Sequence, residues 1–342
     1  MNFHYEFEVV EGLEFVTKRE LQSLLTSDDE ITQDGRGRLA ISTAKPLPFP
    51  STFCLNTAIA AYRLLTFPVP RPKALLGHQW MTQILSEATA ILRTANFTSL
   101  SIGAAGDDSS VFQRLHAELA DKLGLRVESE RGDLHIRIRP SVATKSSWDV
   151  LLRLSPRPWA TRAWRTHNLP GALNAPVAAA ITRLLDIPKN SVVMNAGCGS
   201  GTLLIEGAKQ HPSVKWLGCD NDQTMLQLSQ DHIAQTKLQG ISLLTANMRS
   251  LPLGTATVDA TVSDLPFGQL MGDRDSIKVL YPAWLREVSR TLKPNAPCIV
   301  ITHAIKWFEE CLRLERERLR LSATYPITLN GLHPRIYIIH KL

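Results

Sequence analysis

Cysteine is scarce in this chain and never paired in sequence. The five thiols, Cys54, Cys198, Cys219, Cys298 and Cys311, form an odd set without a C-x-x-C pair. That argues against a disulfide framework and against a zinc ribbon. Long apolar runs are missing too: Ala178-Ala179-Ala180-Ile181 is among the longest, far short of a bilayer span. The start, Met1-Asn2-Phe3-His4-Tyr5-Glu6, has no basic stretch leading into an apolar one, so no secretory leader is read there and the cytoplasm is the expected location. No G-x-x-x-x-G-K-[ST] is present to cradle a triphosphate, and no H-E-x-x-H or paired histidine spacing points to a metal. Internal repeats and low-complexity tracts are also absent.

What remains is an ordinary globular composition, 44% hydrophobic and 20% charged, over 342 residues with a net charge of +6. That length allows two or three domains. The charge is unevenly placed: from Leu134 to Arg183 eight Lys or Arg (Arg137, Arg139, Lys145, Arg153, Arg157, Arg162, Arg165, Arg183) face one acid, Asp149. A basic block of this kind suits a polyanionic partner.

The front of the chain reads as two small α+β units. Phe3 to Val10 places Phe3, Tyr5, Phe7 and Val9 on one side and His4, Glu6 and Glu8 on the other, the alternation of a half-buried strand. A helix over Gly12 to Leu25 and a strand over Arg38 to Ser42 complete a unit expected at 1–70. A second unit, at 71–155, has helices over Trp80 to Ala95 and Val111 to Leu123, and strands over Ser99 to Ala104, Asp133 to Arg139 and Trp148 to Leu154. The outward face of Asp133 to Arg139 carries His135, Arg137 and Arg139 and is expected to be basic. A linker at 156–170 interleaves Arg157, Arg162 and Arg165 with Trp159 and Trp164. It reads either as a surface for phosphates and stacked bases or as an ordered linker whose tryptophans pack against the next domain.

From residue 171 to 342 strands and helices alternate regularly, implying a doubly wound parallel sheet that binds ligands at the C-terminal ends of its strands. The last two strands, Leu321 to Thr328 and Ile336 to His340, read as an antiparallel hairpin at the sheet edge. Within this domain Val192-Val193-Met194-Asn195 runs into Gly197, Gly199 and Gly201, and helical spacing resumes after Thr202. The spacing is G-x-G-x-G rather than the dinucleotide G-x-G-x-x-G. Asp220, nineteen positions after Gly201, closes the next strand, where an acid can accept both hydroxyls of a ribose. A nucleoside without a diphosphate, S-adenosylmethionine, fits both features.

A later strand ends in Ser263-Asp264-Leu265-Pro266-Phe267. A carboxylate followed by a carbonyl and a ring suits an exocyclic amine on a nucleobase. Two acceptors, Asp264 and the Leu265 carbonyl, can hold both N–H bonds and aim the lone pair at a methyl donor. Pro266 stiffens the turn, Phe267 can stack on the base, and Asp264 can take the proton.

The glycine turn, the Asp264-Leu265-Pro266-Phe267-Gly268 loop, Leu280-Tyr281-Pro282-Ala283 and the lead-in Asn168-Leu169-Pro170-Gly171 together resemble the THUMP-domain tRNA guanine-N2 methyltransferases. The resemblance implies a ferredoxin-like unit, a THUMP module and a Rossmann-like class I methyltransferase domain, acting on a guanosine in or near the tRNA acceptor stem. It implies that the THUMP module holds the acceptor end of a tRNA, and the basic block read above then offers Arg137, Arg139, Lys145, Arg157, Arg162 and Arg165 as the expected RNA contacts. Cofactor contacts would come from Asn195, Gly197, Gly199, Gly201, Thr202, Asp220, Asn221, Asn247, Met248 and Asp264. It departs from the family where Asn195 and Asn247 stand for aspartates. A monomer is expected, with room for a small activating subunit. Methylation of an adenine amine in RNA or DNA, and a tRNA-binding relative without catalysis, stay open as alternatives.

Overall fold

The alternation of Phe3, Tyr5, Phe7 and Val9 builds β1 (Phe3–Val9). It is followed by α1 (Glu14–Gln22), β2 (Glu30–Gly35), β3 (Arg38–Thr43), β4 (Ala58–Phe67), α2 (His78–Leu92), β5 (Ser99–Ala104), α3 (Ser110–Leu123), β6 (Arg126–Val127), β7 (Leu134–Pro140) and β8 (Trp148–Arg153). The computed structural model describes residues 2–26, 29–47, 54–167, 169–266, 274–329 and 331–342, without the side chains of 32–34 and 274–276. Asn168, Phe267 and Gly268, named above, lie outside the described residues. The chain divides into Met1–Val9 with Thr17–Ala160, and Val10–Val16 with Thr161–Leu342.

In the first unit, the strands of both expected front units share one eight-stranded sheet, ordered β2-β3-β1-β4-β8-β7-β5-β6. The seam is β4, which pairs antiparallel with β1 and with β8. This strand was not legible in the sequence, because Ala60, Ala61, Tyr62 and Leu65 bury both of its faces and leave no alternation to read. One face of the sheet carries the hydrophobic core, where Phe7, Ile41, Phe67, Ile136 and Leu152 meet Ile84 of α2 and Leu115 of α3. Trp159 joins that core at 7% exposure, 6.3 Å from Phe7 ring to ring.

The opposite face corrects the expectation of a basic surface. Arg139 grips the fully buried Glu6 with two guanidinium nitrogens, one at 3.0 Å, and its Nε lies 3.7 Å from Asp149. Arg137 pairs with Glu8 at 2.9 Å and lies over the Tyr62 ring at 5.0 Å. Glu6 and Glu8 come from β1, more than a hundred residues earlier, so a local charge count, which sees only Asp149, misses them. Lys145, between β7 and β8, and Arg157 are exposed.

The second unit contains α4 (Ala175–Arg183), β9 (Val192–Ala196), α5 (Thr202–Gln210), β10 (Lys215–Asp220), α6 (Gln223–Ala234), β11 (Ile241–Thr245), β12 (Ala260–Asp264), α7 (Arg274–Thr291), β13 (Pro297–Thr302), α8 (Ile305–Leu314), β14 (Leu319–Pro326) and β15 (Arg335–Lys341). Its sheet is ordered β11-β10-β9-β12-β13-β15-β14. The first five strands are parallel, and β15 and β14 form the expected antiparallel pair. The fold is Rossmann-like. Tyr281, Trp284, Phe308 and Tyr337 pack into the core on one side of the sheet. Because the chain leaves β9 toward β10 on one side and later returns to β12 on the other, the loops after β9 and β12 diverge and open a crevice.

Candidate active site

The crevice is built from the glycine turn upward. Gly197, Gly199 and Gly201 all have positive φ, at 69°, 50° and 80°, a conformation that side chains with a Cβ resist. The Cys198 N–H donates to the Cys219 carbonyl at 2.8 Å and the Gly199 N–H to Asp220 Oδ2 at 2.9 Å, so the turn is bonded to the end of β10. Asp220 also accepts from the Asp222 N–H through Oδ1 at 3.0 Å. Burial pushes the Cys219 thiol up to about 11 and raises that of Cys198 further, which leaves both thiols protonated fillers rather than nucleophiles.

Asn195, at the end of β9, is 1% exposed. Its Nδ2 donates to the Val262 carbonyl at 3.0 Å, while its Oδ1 accepts no hydrogen bond among the described residues. An unpaired buried acceptor is costly unless a ligand supplies the donor. Asn195 borders a cavity of about 590 Å³ that is also lined by Gly197, Gly199, Thr202, Asp220, Asn221, Asn247 and Met248 from the first set of predicted residues, and by Asp264, Leu265 and Pro266 from the second. The structure therefore brings the two motifs into one cavity, although nearly seventy residues separate Asn195 from Asp264.

Asp264 closes β12. Ser263 ties that strand end to β9 by donating from Oγ to the Ala196 carbonyl at 2.8 Å. The Leu265 N–H donates to Ile301 O at 3.0 Å. Removal from water pushes the Asp264 carboxyl up to about 7. Asn247 Oδ1 accepts from both the backbone N–H and the Nε of Arg249, at 3.0 and 3.3 Å, so the amide oxygen is engaged within its own turn.

The cavity also has walls that the sequence reading missed. Leu173, Met225 and Val279 line it; apolar residues of this kind carry no motif, and only their position identifies them, while Leu169 and Leu280 line it from motifs to which no site role was assigned. The 169–173 segment is held by Arg165, whose Nη2 donates to Leu173 O at 2.9 Å and to Thr202 Oγ1 at 2.8 Å. Arg162 is 8% exposed and pairs with the fully buried Glu206 at 2.8 Å. Trp164 is 4% exposed and meets His232 edge-on at 5.5 Å. His232 donates from Nδ1 to Ser200 O at 3.0 Å. Against the expectation that it offers its charge to RNA, Arg162 holds that charge in a buried ion pair with Glu206, whereas Arg165 is bonded only to neutral acceptors. The reading in which the linker tryptophans pack against the following domain holds for Trp164, whereas Trp159 packs into the core of the first unit.

Comparison with known proteins places this geometry. A family model described as RMKL-like, methyltransferase domain, matches residues 162–333. The tRNA (guanine(6)-N(2))-methyltransferase THUMP3 of Homo sapiens is 30% identical over 187 residues, a match covering 51% of this chain and 37% of that protein. The chain therefore matches little more than a third of that relative's length. The tRNA (guanine(6)-N2)-methyltransferase of Methanocaldococcus jannaschii is 22% identical over 387 residues, covering 96% of this chain and 97% of its own. The crystal structure of TrmN from Thermus thermophilus superposes with a TM-score of 0.74 at 20% identity, covering 99% of this chain and 100% of the other. At that identity the likeness is one of fold.

Proposed function

The chain belongs to the family of RMKL-like methyltransferase domains, and we propose that it uses S-adenosylmethionine to methylate the N2 amino group of a guanosine in tRNA. One observation carries this reading: Asp264, Leu265 and Pro266 face the same cavity as the glycine turn and Asp220. The names of the relatives add tRNA as substrate, and guanosine 6 as the first position to test. The cytoplasm remains the place we assign to it.

The cavity fits the cofactor on its own terms. A Cβ on Gly199 would meet nothing within 4 Å, so the backbone there is open to close approach. The orphaned Asn195 Oδ1 offers an acceptor at the cationic methionine end. Asp220 retains lone pairs for the ribose hydroxyls beyond its two backbone bonds. Asn247 and Met248 would border the adenine, with Thr202 and Asn221 beside the turn. Bound there, S-adenosylmethionine supplies an activated methyl group.

The remaining chemistry belongs to the protein's own groups. Asp264 and the Leu265 carbonyl accept the two N–H bonds of the exocyclic amine, orienting its lone pair. As the nitrogen forms its bond to carbon it must lose a proton, and ionised Asp264 accepts it directly or through water. The first unit, with Lys145 and Arg157 exposed, is the part we assign to tRNA phosphates.

The test is incubation of the purified protein with S-adenosylmethionine and an unmodified tRNA transcript, followed by nucleoside mass spectrometry. N2-methylguanosine is expected. N6-methyladenosine in its place would move the acceptor to adenine, and no measurable cofactor affinity by calorimetry would leave a tRNA-binding protein without catalysis.

A further inference from the structure

Of the motifs that resemble the family, Leu280-Tyr281-Pro282-Ala283 has no role in the chemistry above. Tyr281 sits on α7, is fully buried, and packs its ring edge-on against Phe308 at 5.9 Å. Its hydroxyl lies 2.7 Å from the Pro266 carbonyl and 2.7 Å from Thr302 Oγ1. Thr302 Oγ1 in turn accepts from the Ala304 N–H at 3.0 Å.

The proton directions in this chain follow from valence. A carbonyl only accepts, so Tyr281 donates to Pro266 O. Having one proton, the Tyr281 hydroxyl must accept from Thr302. The run is therefore Ala304 N–H to Thr302 Oγ1, Thr302 O–H to Tyr281 Oη, and Tyr281 O–H to Pro266 O. It ends at the residue that follows Asp264 and Leu265, and every link is buried or nearly so. Each donor in such a chain polarises the next.

We infer that Tyr281 is the positioning residue of the methyl-acceptor loop: it anchors the Pro266 carbonyl to β13 and so sets the direction in which Asp264 and the Leu265 carbonyl present their acceptors. The bond falls one residue beyond the carbonyl that the reaction uses, so the clamp holds the loop without occupying that acceptor. Leu280, next to it, lines the cavity, which places the clamp in the wall of the site. The inference deepens the methyl-transfer reading and rests on it for its catalytic meaning, whereas the clamp itself is a property of the fold.

The experiment compares wild type with Tyr281→Phe, which keeps the ring and its contact with Phe308 and removes only the hydroxyl. Two readouts are taken. Hydrogen exchange resolved to the Leu265 amide, which bonds to Ile301 O, is expected to quicken about tenfold or more, while the amides of β9 exchange at the wild-type rate. In methyl transfer, kcat is expected to fall by about ten- to a hundredfold, with the calorimetric Kd for S-adenosylmethionine within about twofold of wild type. Thr302→Val, which removes the donor to Tyr281, is expected to move both readouts in the same direction by a smaller factor. Unchanged exchange at Leu265 in folded Tyr281→Phe overturns the clamp, whatever the activity. Quickened exchange with unchanged kcat overturns its positioning role. Quickened exchange in a protein whose wild type methylates no guanosine upholds the clamp and rejects the functional reading instead.

Discussion

The Gly199 N–H donates to Asp220 Oδ2 at 2.9 Å, so the acid at the end of β10 helps to shape the glycine turn it stands beside. The other oxygen of this carboxylate accepts from the Asp222 N–H, and Asp220 lines the cavity. Asp220→Ala removes both hydrogen bonds. Charged hydrogen bonds contribute about 1.5–3 kcal/mol each, and the expected result is a rise in Kd for S-adenosylmethionine of about ten- to a hundredfold by calorimetry. An affinity equal to wild type would separate Asp220 from the ligand.

Asp264 gives a prediction with a sign in pH. Burial pushes its carboxyl up to about 7, against about 3.9 in an unfolded chain. The fold therefore favours the protonated form. The resulting stabilisation is complete below the unfolded value and is lost as pH rises through about 7. Asp264→Asn cannot ionise, so it is expected to melt above wild type near pH 8 and to approach it near pH 4. Methyl transfer by wild type is expected to rise with pH through the same region, because the base must be ionised. Asp264→Asn should lose about a hundredfold or more in kcat and keep its cofactor affinity nearly intact. Equal loss of both would mean that Asp264 serves mainly the cofactor.

Asn195 is not interchangeable with the aspartate that the family resemblance would place there. Its Nδ2 donates to Val262 O, and a carboxylate would set two acceptors against each other in a buried site. Asn195→Asp is expected to cost about 1–3 kcal/mol in chemical denaturation. A variant as stable as wild type would show that the local backbone can turn Val262 away.

In the first unit, Arg139 and Lys145 should part company. Arg139→Ala strands the buried Glu6 carboxylate and is expected to cost about 3–5 kcal/mol of stability. Lys145 is exposed, so Lys145→Ala should alter stability by less than about 0.5 kcal/mol. It should instead weaken tRNA binding and reduce the salt dependence of that binding by about one unit of slope. Filter-binding titrations across salt concentrations, run beside thermal melts, separate the two. A salt slope unchanged in Lys145→Ala would remove that residue from the RNA surface.

Local pattern by itself determined the nucleoside turn, the acid that follows it, the Asp264 loop and the alternation of strands and helices from residue 171 onward. Each depends on neighbours close in sequence: a positive-φ turn needs its glycines in a row, and an amphipathic strand or helix shows its period over one window. Only the tertiary structure decided how the charges resolve. Arg137 and Arg139 read as a free basic face until β1 supplies Glu8 and Glu6, and Arg162 reads as a phosphate ligand until α5 supplies Glu206. The strand β4, buried on both faces, shows no period at all. The meeting of Asp220 with Asp264 in one cavity, and the bond from Tyr281 to Pro266, likewise depend on strand order. A charge or an acceptor acquires its partner from the residues the fold places beside it, and sequence separation sets no limit on which those are.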